Sequence, residues 1–175
     1  MACNVEIKAR VGDLDSLERR LAPLSDDGPI VLEQEDVFFG CASGRLKLRR
    51  FAEGHGELIH YQRPDTAGPR TSTYHRAPVE EPAALRDVLA RALGVRAVVR
   101  KQRRLYLKGP TRIHLDRVEG LGNFVELEVV LAPDQSAAEG QRIAEELMAT
   151  LGIRTEDLVS VAYVDLLPGA VPGDV

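Results

Sequence analysis

The sequence predicts an α+β domain in which antiparallel sheet dominates. Three observations carry this. Strand-like stretches are short and frequent, Gly and Pro punctuate them, and helical periodicity appears in only three or four places. The stretches fall near 4–11, 30–39, 45–51, 57–63, 70–77, 98–107, 111–117 and 124–131, which makes about eight strands. Gly109-Pro110 suits a hairpin between two of them.

Each helix has a local reason. Asp13 can cap a segment that puts Leu14, Leu17 and Leu21 on one face. Residues 81–93 repeat Leu85, Val88, Leu89, Ala92 and Leu93, and Gly94 stands where a helix should stop. Residues 137–151 repeat Ile143, Leu147 and Leu151 ahead of Gly152. A last short helix is expected near 156–166, presenting Leu158, Val161, Ala162 and Asp165 around Tyr163. One domain over 1–167 is expected, with 168–175 a flexible tail.

Composition narrows the class. Of 175 residues, 44% are hydrophobic and 29% charged, a globular balance able to build a core without staples. The net charge of −4 gives no global pull toward nucleic acid or membrane. No run approaches the ~20 apolar residues of a membrane span. The opening MACNVEIKAR carries charge by Glu6, so no secretory leader is expected. Cys3 and Cys41 are too few for a disulfide framework and lack metal spacing; both read as packing residues. The expectation is a reduced, cytoplasmic protein, with a homodimer left open.

Side chains alternate along a strand, so i, i+2 and i+4 share a face. In 4–11 one face is Asn4, Glu6, Lys8 and Arg10, and the other is Val5, Ile7, Ala9 and Val11. Arg45, Lys47 and Arg49 share a face, as do Arg112, His114 and Asp116, Glu126 and Glu128, and Lys101 and Arg103. One solvated face is the ordinary condition of antiparallel sheet. Segregation of like charges by strand is not ordinary, because neighbours ~7 Å apart repel. If the sheet closes with these faces inward, the lumen is a charged, wet tunnel and the helices cover the apolar outside. Such a lumen suits a polyphosphate on its basic wall and Mg²⁺ or Mn²⁺ on its acidic wall. The clustered carboxylates are expected to repel until a cation arrives.

The remaining residues read simply. His55, His60, His75 and His114 show no ligand spacing; His114 either enters the tunnel beside Asp116 or lies on the strand surface. Tyr61 shares a face with Arg63, whereas Tyr74 and Tyr106 read as packing residues. Arg100 and Arg104 oppose Lys101 and Arg103 and are expected to face solvent, and the run lacks the interleaved aromatics of a nucleic-acid site.

Five stretches in order resemble one family. NVEIKA at the N-terminus is similar to the ExExK signature of the CYTH superfamily, named for class IV adenylyl cyclases and thiamine triphosphatases. QEDVFF at 34–39, RLKLR at 45–49, RKQR at 100–103 and LDRVEGLGNFVELE at 115–128 follow its pattern. The resemblance implies an eight-stranded antiparallel barrel, the triphosphate tunnel fold, acting on triphosphorylated substrates with Mg²⁺ or Mn²⁺. It implies metal ligation by Glu6, Asp116, Glu126, Glu128 and the residue at position 4. It implies phosphate binding by Lys8, Arg45, Lys47, Arg49, Arg63, Lys101 and Arg103, with Arg10, Tyr61 and Arg112 on the same faces. Lys8, Asp116 and Arg63 are the candidate catalytic residues. One departure stands out: the first glutamate of the signature is Asn4 here. QEDVFF and LDRVEGLG are closer to the cyclase branch, so ATP cyclisation to cyclic AMP and pyrophosphate is the expected reaction. The alternatives are a triphosphatase, a non-catalytic nucleotide or polyphosphate sensor, and an interaction module with an open charged sheet.

Overall fold

Alternation of charged and apolar residues is satisfied by closing the sheet. The computed structural model describes residues 2–168. Its strands are β1 (Ala2–Arg10), β2 (Asp27–Phe39), β3 (Arg45–Phe51), β4 (Gly56–Gln62), β5 (Arg70–Val79), β6 (Val95–Lys108), β7 (Thr111–Val118) and β8 (Gly122–Val130). They pair antiparallel in the order β1-β5-β4-β3-β2-β6-β7-β8, and β8 pairs back onto β1. The barrel is therefore closed, which removes the free edges of an open sheet. β2 and β6 each begin three residues earlier than the alternation predicts, because they extend one another from Asp27 opposite Leu107 to Phe39 opposite Val95. Gly109 lies in the turn joining β6 to β7, as expected.

The helices lie outside. In α1 (Leu14–Leu21) the Asp13 side chain accepts from Ser16 N–H at 2.9 Å, and Leu14, Leu17 and Leu21 are buried. α2 (Pro82–Leu93) ends at Gly94. α3 (Ala137–Leu151) opens with a capping box between Ser136 and Glu139, and closes at Gly152, whose left-handed φ of 69° favours glycine. α1 and α3 cover Val5, Ile7, Ile113, Leu115, Val125 and Leu127 on the outer face. Leu85 and Leu89 of α2 pack on Val37, Phe39 and Leu48. No helix of the described residues is long and apolar enough to cross a membrane.

The C-terminal segment corrects the expected helix at 156–166. A 3-10 turn covers Thr155–Asp157, extended chain follows, and only α4 (Tyr163–Leu166) is helical. Leu158 bridges to Ala9, and Val159 N–H donates to the Lys8 carbonyl at 2.9 Å. Pairing with β1 satisfies this backbone, and the β-branched Val159 and Val161 suit extended chain. Ala162, Tyr163 and Val164 then pack against Phe38, Val99 and Phe124 across one end of the barrel. Apart from Pro168, the expected tail lies outside the described residues.

Candidate active site in the barrel lumen

Residues on the inward parity of each strand line a cavity of about 260 Å³. From β1 come Asn4, Glu6 and Lys8; from β2 Gln34, Asp36 and Phe38; from β3 Lys47 and Arg49; from β6 Lys101 and Arg103; from β7 Arg112 and His114; from β8 Glu126 and Glu128. Tyr61 and Arg63 also line it. Eight Lys and Arg side chains face five carboxylates in this space, so cations prevail. A larger cavity of about 1060 Å³ involves outward residues such as Glu33, Glu35, Arg50 and Arg100, whose charges already pair with one another or with Gln102.

The carboxylates divide into two groups. Asp36 takes Lys47 Nζ at 2.9 Å, a two-point contact from Arg49 at 2.7 and 2.8 Å, and Lys101 at 3.5 Å. Burial alone would raise its pKa, but Arg49, Lys47 and Lys101 hold it well below the usual range. Across the lumen Glu126 meets Lys8 at 3.2 Å and Arg103 at 2.6 Å, while Glu128 meets Arg112 at 3.1 Å. Burial opposes ionisation of Glu126 as well; Lys8 and Arg103 overcome it. The expected repulsion between these carboxylates is thus already compensated by neighbouring cations. Glu6 differs. Burial, reinforced by Glu128 and Glu126, raises its pKa despite Arg63 at 3.2 Å.

Three predicted residues stand elsewhere. Arg10 lies outside the lining: at the end of β1 it stacks over Phe124 and donates to the Leu121 carbonyl. Arg45, also at a strand end, pairs with Asp65 at 2.7 Å and Asp165 at 2.9 Å. Asp116 is fully buried behind the lumen, with both oxygens held by Arg103 at 2.7 and 2.6 Å and Tyr163 O–H donating at 2.8 Å. Those contacts suit a group that positions Arg103. Other readings change too. Tyr74 lines the lumen, its hydroxyl accepting from Arg112 at 3.3 Å. Arg104 ion-pairs with Glu18 of α1, which leaves Arg100 as the exposed one. Cys41 is exposed in a turn, and Cys3 is half-buried.

The alternation missed Asp36, Arg70 and Tyr163. Asp36 shares its face with Gln34 and Phe38, a signal present in QEDVFF. Arg70 heads β5, where a strand boundary hides the parity; it is buried, 3.5 Å from Glu6, and donates to the Val159 carbonyl. Tyr163 lies under Lys8 Nζ, which is 3.8 Å from its ring centroid.

Several buried polar atoms lack a hydrogen-bond partner, among them Asn4 Oδ1, Gln34 Oε1, Thr111 Oγ1 and His114 Nδ1. Two lie on residues beside Glu126 and Glu128, so the donor set fits a divalent cation.

The CYTH domain model matches residues 2–163. The chain belongs to the CYTH family. Among CYTH relatives, an adenylate cyclase CyaB from Aeromonas hydrophila is 26% identical over 170 residues, covering 91% of this chain and 85% of that one. The structure of PH1012 from Pyrococcus horikoshii OT3 superimposes with a TM-score of 0.85 at 25% identity, over 94% of this chain and 99% of that one. HpAC1 from Hippeastrum, described as having a dominant triphosphatase activity, shares the CYTH fold with a TM-score of 0.64 at 16% identity, over 95% and 93% of the two chains.

Burial also marks the lysines. It pushes the Lys47 pKa down to about 7, Arg49 adding to the effect, and that of Lys8 down to about 8. The unfolded lysine holds its proton to ~10.4, so between these values the unfolded state binds more protons. The ligand-free protein therefore gains stability as pH rises through that window. A polyanion beside Lys47 reverses the preference. Triphosphate binding is expected to take up protons near pH 7–8 and to weaken above it. Calorimetry in two buffers of different ionisation enthalpy measures the uptake. Zero uptake, or the same uptake in Lys47→Met, would contradict this.

Proposed function

We propose that the lumen binds a triphosphate chain with a divalent cation and that the protein converts ATP to cyclic AMP and pyrophosphate. The surplus of cations lining one enclosed space, opposite a paired Glu126 and Glu128, is the observation that carries the reading. The volume is just below the ~300–1,000 Å³ of pockets for whole organic ligands, which suits a phosphate chain better than a whole nucleotide.

In this reading Lys47, Arg49, Lys101, Arg103 and Arg112 grip phosphate oxygens, and Lys8 and Arg63 offset the charge that develops on the leaving pyrophosphate. Glu126 and Glu128, with Glu6 beside them, are the residues to hold the cation; Asn4 offers a neutral oxygen. When bound, a divalent cation neutralises phosphate charge and lowers the pKa of a coordinated oxygen. The ribose 3′-hydroxyl oxygen attacks the α-phosphorus as its proton passes to water, the bond from that phosphorus to the bridging oxygen breaks, and pyrophosphate leaves. The curated relative named adenylate cyclase supports cyclisation. Hydrolysis of the terminal phosphoryl group is the second reading, supported by the same fold in HpAC1.

Phosphorus NMR of ATP, triphosphate and thiamine triphosphate incubated with protein and Mg²⁺ or Mn²⁺ separates the two. Pyrophosphate without orthophosphate is the expected result. Orthophosphate would assign hydrolysis. Neither product with any substrate would overturn both readings and leave a binding protein.

A further inference from the structure

We propose that His114 is the third protein ligand of the cation held by Glu126 and Glu128, and that the resulting mixed nitrogen and oxygen site favours a transition cation such as Mn²⁺ over Mg²⁺. The inference rests on the cation-assisted reading above and deepens it.

Strand register brings the three together. His114 of β7 lies opposite Glu126 of β8, and Arg112, two residues before it, lies opposite Glu128. All three side chains therefore share one inward face. The ligand atoms of His114, Glu126 and Glu128 lie within 4.8 Å of one another. His114 Nδ1 is 3.7 Å from Glu126 Oε2 and 3.8 Å from Glu128 Oε1. Two bonds of ~2.1 Å to a shared ion span up to ~4.2 Å, so both gaps admit one ion between them.

A second observation points to a ligand. The His114 side chain is only 5% exposed, and its Nδ1 has no hydrogen-bond partner. A buried ring nitrogen rarely stays unpaired, and this one faces two carboxylate oxygens beyond ordinary hydrogen-bond distance. Arg112 engages the other oxygen of Glu128, which leaves Oε1 on the imidazole side. Glu126 Oε2 is shared with Arg103, whose guanidinium Asp116 holds in place from the far side, so the oxygen stays aimed at the imidazole.

The preference follows from donor chemistry. Position 4 supplies a neutral carboxamide where a carboxylate would add charge, so attraction for a hard cation is reduced. Imidazole adds a donor atom without adding negative charge. Mg²⁺ takes oxygen ligands and holds its waters, whereas imidazole is a common ligand of first-row transition cations.

The test uses the whole protein with Mn²⁺ alone, without nucleotide. Pulsed electron paramagnetic resonance of bound Mn²⁺ should show coupling to a coordinated imidazole nitrogen, and the pattern should change when histidine carries the heavy nitrogen isotope. The coupling should vanish in His114→Gln but persist in His55→Gln, His60→Gln and His75→Gln. In His114→Gln the Mn²⁺ dissociation constant should rise at least ~10-fold, and that for Mg²⁺ by less than ~2-fold. Absence of histidine coupling in the unmodified protein overturns the proposal even if the variant fails to fold. Coupling that survives in His114→Gln, or equal losses for both ions, overturns it too. No turnover is involved. Coupling without phosphorus products would sink only the phosphoryl reading, and products without coupling would sink only the ligand assignment.

Discussion

Glu126→Gln is expected to lower product formation at least ~10²-fold, the scale of losing one preorganised charge in a water-poor site. Glu126 binds Lys8 through one oxygen and Arg103 through the other, so it is the member of the acidic pair in direct contact with the basic wall. Glutamine keeps the shape and one acceptor oxygen but removes the charge that attracts a cation. Because Lys8 and Arg103 already neutralise the carboxylate, relief of repulsion is absent, and the variant should be no more stable than its parent. Initial rates across a Mn²⁺ titration, with thermal melts, check both statements. Unchanged rates at limiting Mn²⁺ would remove Glu126 from the cation site.

Arg103→Ala is expected to cost about 3–5 kcal/mol of folding stability as well as triphosphate affinity. The guanidinium is 5% exposed, and Asp116 behind it is fully buried. Truncation leaves that carboxylate with Tyr163 as its hydrogen-bond partner. Asp116→Asn added to the same chain should recover part of the loss, because it neutralises the stranded charge. Arg104→Ala, on the opposite face of β6 and paired with Glu18, should cost about 1 kcal/mol or less. Urea unfolding of the four proteins measures this. Equal losses at 103 and 104 would contradict the register that puts Arg103 inside.

Much of the lumen was legible because strand alternation is strict. Glu6 and Lys8, Lys47 and Arg49, Lys101 and Arg103, and Glu126 and Glu128 all face inward as their spacing predicts. Errors gathered where alternation stops. Arg10 and Arg45 have inward parity, but at strand ends a long side chain can turn to a nearer partner, here Leu121 and Asp165. Asp116 obeys parity yet ends in a depth that sequence does not encode. The segment between Leu158 and Ala162 reads as helix from its sequence because apolar spacing cannot distinguish a free amphipathic helix from a strap whose backbone is bonded to β1; from Tyr163 to Leu166 the chain is helical as expected. Alternation alone leaves His114 open between strand surface and lumen; closure of the barrel places it in the lumen.

That strap gives the tunnel a direction. Lys8, Arg63 and Arg70 donate to the carbonyls of Val161, Ser160 and Val159, and Tyr163 stands over the end where Phe38 and Phe124 meet. A passage stopped at one end is a cul-de-sac. In the proposed reading, the part of a ligand that enters foremost would rest against Tyr163. If one bond of that ligand were cut there, the outer fragment would leave before the inner one.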